Sequence, residues 1–445
     1  MNRGTMKFPP SALLVGFAAM ALPTAAVPPG ARPESGSGNS EHEAASITSS
    51  VSAPFLEQSQ LFREMSDGFT LYRIPGLVVT ARGTVLAYCE ARKFTGADRG
   101  EIEIHLRRST DDGRTFSSAV KIAHFGPRLP RNPHMPENKR KKDMGGPDEQ
   151  TINNPVAIAA RDGTVHVLYC GDYMRVFHIG SDDDGQTWSK PVEITEVFDK
   201  FRPDLDWQAV ALGPGHGAEL KSGRLVAPFW MATYEPEASP GKAVGTVFSD
   251  DGGKTWQRGE VAVRGVGEPN IAPLPDGGAI LTARDHHKSK RRPVTRSPDG
   301  ATGWSKVKYA EELFEGGCMA GIVSHPGTPS VPGPLLLFSN PQTIEKGGAA
   351  RRNVTVHLSR DQGKTWSVSR TLQPGPSAYS DLAVLPDGTV LCFYESGTTE
   401  PVVKRRRDWA YANLTLARFN LAWLLDNNGA ADAPRAGDKE SHNGN

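Results

Sequence analysis

Four charged residues stand where β-strands should be apolar. In "LYRIPGLVV" (71–79), Arg73 sits among Leu71, Ile74, Leu77 and Val78. Strands alternate their faces, so this guanidinium points inward or into a site. Burying it unpaired would be costly, and Pro75 stops a regular ladder two residues later. Arg92, Arg284 and Glu395 lie at the ends of three further apolar runs, "VLAYCEAR", "AILTAR" and "VLCFYE". Charges at the ends of apolar strands are expensive unless they form a site. Several converging arginines grip an anion, whether carboxylate, sulfate or phosphate, through paired hydrogen bonds.

A repeat brings these residues together. A turn glycine followed by an apolar strand recurs at Gly83, Gly163, Gly223, Gly277, Gly333 and Gly388, at intervals of 80, 60, 54, 56 and 55 residues. Each interval has room for four short strands, and none shows the 3.6-residue period of a helical repeat. A second signature, Ser-x-Asp-x-Gly-x-Thr-aromatic, follows in "STDDGRTF", "SDDDGQTW", "SDDGGKTW" and "SRDQGKTW", with "SPDGATGW" a decayed copy. Its aspartate and glycine suit a tight turn between antiparallel strands. A calcium loop would need a distal glutamate ligand that does not recur. The pattern predicts an all-β fold, a six-bladed β-propeller of four-stranded antiparallel blades over residues 53–425. "FTLYRIPGLVV" (69–79) and "YANLTLARFNLAWLL" (411–425) are expected to share in closing the ring. Seven residues after each turn glycine stand Glu90, Cys170, Trp230, Arg284, Asn340 and Glu395. Equivalent strand ends gather on one face of a propeller, so Arg284, Glu395 and neighbouring Arg92 should meet near its axis.

The rest of the sequence narrows the class. The chain has 51 basic and 50 acidic side chains, which argues against a general nucleic-acid binder. Arg3 and Lys7 precede an apolar run from Ala12 to Leu22, then Thr24 and Ala26. This reads as a signal peptide over 1–26 rather than a membrane anchor, and places the mature protein outside the cytoplasm, secreted or periplasmic. Residues 27–52 read as a disordered linker and 426–445 as a disordered tail. Cys89, Cys170 and Cys392 lie in apolar strand text, which favours buried thiols over disulfides, and no CxxC pattern suggests zinc. The adjacent His286 and His287 diverge in extended chain, so no metal is expected there. "GPGHG" (213–217) precedes strand rather than helix text and is no dinucleotide loop; it reads as a structural turn or a loop near the site through His216. The basic runs "KRKK" (139–142), "KSKRR" (288–292) and "KRRR" (404–407) read as solvated loops or a rim that attracts anionic glycans. Asn353 and Asn413 fit the glycosylation pattern.

"YRIP" together with the aspartate boxes resembles the exo-α-sialidase family, in both its bacterial secreted and animal lysosomal members, from about Phe62 to Leu425. Phe116 stands where the family's first box usually has tryptophan. The resemblance implies roles residue by residue. Arg73, Arg284 in "LTARD" and Arg351 in "ARRNVTVHLS" would form the triad that binds the sialic acid carboxylate, with Arg352 the alternative to Arg351. Glu395 in "FYES" would brace Arg73. Tyr379 in "SAYSDL" would be the nucleophile, Glu268 in "GVGEPNIAPLPDG" its base, and Asp98 in "ARKFTGADRG" the general acid/base. Arg92 would lie near the sugar's 4-hydroxyl, and Asp148 would line the pocket. A tyrosine suits this substrate. Its pKa near 10 requires a neighbouring base, but an anionic nucleophile would be repelled by the carboxylate on the reacting carbon. The implied activity is retaining hydrolysis of terminal sialic acid from glycoproteins, glycolipids or oligosaccharides, with no cofactor, no nucleic acid and no membrane span. A sialic-acid-binding lectin, a trans-sialidase and a glycosidase for a related nonulosonic acid are the alternatives.

Overall fold

A computed structural model describes residues 53–94, 96–124, 126–130, 148–233, 241–285, 289–343, 351–397 and 410–426. The leader, the linker, the tail after Asp426, "KRKK", "KRRR" and the paired histidines therefore lie outside the described residues.

The described residues form five antiparallel sheets, to one of which a short parallel strand is added. The first holds Leu71–Val79, Val85–Arg92, Ile102–Ser109 and Val120–Ala123. The second runs Ile152–Ala159, Val165–Gly171, Arg175–Ser181 and Val192–Glu193, with Gly215–His216 added in parallel. The third contains Ala209–Leu212, Leu225–Ala232, Lys242–Ser249 and Gln257–Arg264, and the fourth Val266–Pro273, Ala279–Asp285, Arg291–Ser297 and Lys308–Phe314. The fifth has seven strands. Its central strand, Val368–Val384, pairs along its first half with Arg352–Ser359 and along its second with Val390–Ser396.

The apolar core lies between sheets rather than within one. Leu86, Ile104 and Val78 pack with Ala157 and Val165, joining the first sheet to the second. Phe198, Phe229, Val156 and Leu168 join the second to the third, Ile271 and Val226 the third to the fourth, and Ile280 and Leu336 the fourth to the fifth. Phe393 and Leu414 pack with Leu77 and Val85 and return to the first sheet. Packing that closes on itself in this way is that of an all-β, propeller-like fold.

Ring closure differs from the expectation. Leu56–Arg63 ("LEQSQLFR") pairs antiparallel with Asn413–Phe419, from Leu56↔Phe419 to Arg63↔Asn413. "FTLYRIPGLVV" instead supplies the first strand of the first sheet. The strand expected to run to 425 stops at Phe419, because Asn420 accepts the Trp423 amide (2.9 Å) and starts a short helix, Leu421–Leu425.

The repeat signatures act as turns. Gly83, Gly163, Gly223, Gly277 and Gly388 take φ of 83°, 96°, 91°, 94° and 85°, a region costly for other residues. Gly333 departs from the repeat and lies inside the strand Val331–Pro341. Each aspartate box starts at the last residue of a third strand. In the box from Ser181, Asp183 accepts from the Ser181 hydroxyl (2.8 Å), the Thr187 amide (2.8 Å) and the Thr187 hydroxyl (2.6 Å), while the Gly185 amide donates to Ser181 (2.8 Å). Ser109, Ser249 and Ser359 repeat this arrangement. The decayed copy keeps it one residue shorter, with Thr302 bonding Asp299. All four cysteines are buried free thiols.

Buried histidines make the fold sensitive to acid. His166 Nδ1 and His178 Nε2 share a hydrogen bond of 3.0 Å between stacked rings. Burial and His166 push His178 down to about 4, and burial pushes His357 down to about 3. Their folded pKa values are lower than the unfolded value near 6.5, so the unfolded chain binds more protons below that pH and stability falls with acidification. Urea unfolding at pH 5 should show a loss of about 2 kcal/mol relative to pH 7 from His178 alone. His178→Phe should shrink that difference; an unchanged one would remove the assignment.

Candidate active site

The site is built on irregularities of the first strands. Their pairing with the second strands shifts register at Arg73/Gly76, Asn153/Val156, Gly267/Asn270 and Ser377/Ser380. In three of the four bulges a proline occupies the second extra position, and the residue before it has positive φ: Ile74 at 62°, Asn154 at 51° and Glu268 at 43°. Residues before proline normally stay extended, so these are uncommon geometries of the kind that collects at functional sites. A bulge bends the strand and re-aims its side chains. Glu268 and Tyr379 sit inside bulges and Arg73 borders one.

The ladder amides released by the bulges are taken by buried carboxylates. Glu395, fully buried, accepts from the backbone amides of Ile74 and Tyr379 (both 3.2 Å). It also accepts from Arg73 Nε and Nη2, at 2.9 and 3.1 Å. Glu90 does the same one sheet on, accepting from the Asn154 amide at 2.9 Å and from Arg92 Nε and Nη2 at 3.0 and 2.7 Å. Arg73 is thus held by two parallel bonds, one to each oxygen of Glu395, the geometry in which a buried ion pair is strongest, whereas both Arg92 donors converge on Oε2 of Glu90.

Tyr379 is 4% exposed, and its hydroxyl donates to Glu268 Oε1 in a short hydrogen bond. Arg284 Nη1 donates to Glu268 Oε2 (2.8 Å) and reaches the Tyr379 oxygen at 3.3 Å. Burial and the charge of Glu268 push the phenol well above its usual pKa. Burial acts in the opposite sense on Glu268, but Arg284 and the Tyr379 bond outweigh it and hold the carboxyl below its usual value. The proton therefore rests on Tyr379, shared in its hydrogen bond with Glu268.

Arg351 is the inward member of its pair. Its Nη1 donates to the Tyr411 hydroxyl at 2.5 Å and its Nη2 to the Gly317 carbonyl at 3.3 Å. Arg352 opens the next strand opposite Pro376 and is exposed. The guanidinium carbons of Arg73 and Arg351 lie 5.2 and 5.4 Å from the Tyr379 ring centre. Sequence reasoning missed Tyr411, a single tyrosine with no motif around it.

Asp98 sits on the loop after the Arg92 strand, 69% of its side chain open to solvent, with Oδ1 3.0 Å from Arg92 Nη1 and 3.7 Å from Arg73 Nη1. Partial desolvation by the neighbouring side chains raises its pKa, but Arg92 and then Arg73 outweigh that and hold the carboxyl below its usual value. Arg92 lies deeper than Asp98. Its side chain is 1% exposed, and Nη1 is spent on the carbonyls of Gly96 and Ala97 (both 2.9 Å) as well as Asp98. It lies beneath the acid loop and shapes it. Asp148 is exposed, and among the described residues no hydrogen bond or ion pair ties it to the cluster. His216 is also not at the mouth. It is buried, with Nδ1 2.7 Å from Asp381 Oδ1, while Asp381 Oδ2 accepts the Leu77 amide at 2.9 Å. This staple joins three strands through Asp381, two residues along from Tyr379.

Comparison with known proteins gives a consistent result. Residues 135–392 match the BNR repeat-like domain family. A sialidase of Micromonospora viridifaciens is 32% identical over 385 residues, covering 83% of this chain and 55% of that protein. One from Bacteroides fragilis is 30% identical over 353 residues, covering 74% and 61%. The chain thus spans little more than half the length of these bacterial relatives. Among solved structures, the Hadza microbial sialidase Hz136 superposes with a TM-score of 0.66 at 26% identity, covering 81% of this chain and 67% of that one. With a match over more than half its length, the chain belongs to the BNR repeat-like domain family, and these relatives in sequence and in structure are sialidases.

Proposed function

We propose that the protein is an exported, retaining exo-α-sialidase that releases terminal sialic acid from glycoproteins, glycolipids or oligosaccharides. The observation that carries this reading is the Tyr379 hydroxyl bonded to Glu268 beside Arg73, Arg284 and Arg351. Export rests on the charged and apolar N-terminal run. If the long strand Val368–Val384 serves as the outer strand of one blade and the inner strand of the next, the sheets make six blades.

The arginines hold the sugar's carboxylate. As Tyr379 oxygen attacks the anomeric carbon, its proton passes to Glu268, and protonated Asp98 gives its proton to the departing glycosidic oxygen. A tyrosyl–sugar bond replaces the glycosidic bond. Water, losing a proton to Asp98, then attacks the same carbon, and Tyr379 leaves and recovers its proton from Glu268. Two inversions retain configuration. Arg92 acts indirectly, by holding the Asp98 loop.

Substrate binding arms the acid. The cluster holds four guanidiniums, those of Arg73, Arg92 and Arg284 in ion pairs and that of Arg351 outside them, and four carboxyl groups, Glu90, Asp98, Glu268 and Glu395, so its net charge is zero while Asp98 is ionised. A bound carboxylate offsets the arginines' field at Asp98 and favours its protonated form. The alkaline limb of kcat should therefore lie about one pH unit above that of kcat/KM, since the latter reports the free enzyme. Sialic acid release from α2,3- and α2,6-sialyllactose across pH, with NMR of the first anomer formed, tests this reading. Binding without release would favour a lectin, and transfer to added lactose a trans-sialidase.

A further inference from the structure

The arginines of the cradle are not held alike. Arg73 is neutralised by Glu395 at 2.9 Å and Arg284 by Glu268 at 2.8 Å. Among the described residues Arg351 pairs with no carboxylate, and its polar partners are the Tyr411 hydroxyl and the Gly317 carbonyl. The Tyr411 ring also lies under Arg73, 4.2 Å from the guanidinium carbon, and 5.7 Å from that of Arg351. One side chain therefore touches two cationic groups from different sheets, one through its face and the other through its oxygen. A phenol can fix a guanidinium in this way without cancelling its charge, whereas a carboxylate would fix and neutralise it.

We infer that Tyr411 is a positioning residue that aims Arg351 while leaving its charge available to the substrate carboxylate. This rests on the sialidase reading of the same site. Arg351 is then the arginine whose field is least spent inside the protein, and it should contribute most of the preference for an anionic ligand over a neutral one. Because the carboxylate is gripped both before and during reaction, loss of the Tyr411 hydroxyl weakens ground-state and transition-state binding together, which raises KM and spares kcat.

The test compares wild type with Tyr411→Phe, which keeps the ring under Arg73 and removes only the bond to Arg351. KM for α2,3-sialyllactose should rise about tenfold with kcat within about twofold. Affinity for 2,3-unsaturated sialic acid should fall by a similar factor, while affinity for its methyl ester stays unchanged. Tyr411→Glu, which holds Arg351 but neutralises it, should weaken binding of the acid further than Phe does. Arg351→Lys should cost less in the Tyr411→Phe background than in wild type, since the two residues act as one unit. Equal losses for acid and ester, a fall in kcat alone, or additive effects of the two substitutions would overturn the inference. So would a Phe variant that fails to fold, since the hydroxyl would then be holding the sheet seam rather than an arginine. A wild-type protein that binds neither compound would instead overturn the sialidase reading.

Discussion

Tyr379→Phe should lose on the order of 10³ or more in kcat on sialyllactose while binding 2,3-unsaturated sialic acid within about threefold of wild type. The substitution removes one oxygen. It keeps the ring that lies 5.2 Å from the Arg73 guanidinium carbon and 5.4 Å from that of Arg351, so the cradle keeps its shape. It deletes the atom that bonds Glu268 and would bond the sugar. The unsaturated acid forms no covalent bond, so its affinity reports the cradle alone. Turnover measured beside calorimetric binding separates the two effects, and a Phe variant with more than a few per cent of wild-type kcat would end the nucleophile assignment.

Glu395→Gln should destabilise the protein by about 3–5 kcal/mol, the range for breaking one side of a buried pair. Glu395 is fully buried, and each of its four bonds comes from a donor: Nε and Nη2 of Arg73 and the amides of Ile74 and Tyr379. Glutamine matches the shape but turns an NH₂ group toward donors and leaves the Arg73 charge unbalanced in the interior. The same change loosens the Tyr379 backbone, so activity should fall along with the urea midpoint. A midpoint change equivalent to less than about 1 kcal/mol would show that the pair is solvated or otherwise compensated.

What could be read from the sequence followed from local rules. The turn glycines and aspartate boxes announced themselves because positive φ and Asx-type bonding demand particular residues. The second-strand ends gave Arg284 and Glu395, because a charge after an apolar run is conspicuous. Strand alternation left one of Arg351 and Arg352 facing inward, and Arg351 is the one that packs against Tyr411. Pro75 marked one broken ladder, but the other first-strand bulges had no such sign, since a left-handed residue before proline is not marked by composition. The burial of Arg92 could not be read, because the sequence shows a charge at a strand end but not the loop folding back over it. The closing strand was missed for a related reason: "LEQSQLFR" is polar, as suits an edge, and carries no apolar alternation. Tyr411 needed three dimensions altogether.

The bulged first strands bear on how this protein could be re-engineered. Glu268 and Tyr379 ride on positions that a designer smoothing the ladder would delete first, and Pro75, Pro155 and Pro269 would look like defects to be replaced. A variant so tidied would gain pairing between neighbouring strands and lose the machinery at the axis. The outer strands and their box turns carry none of that burden, and thermal hardening belongs there.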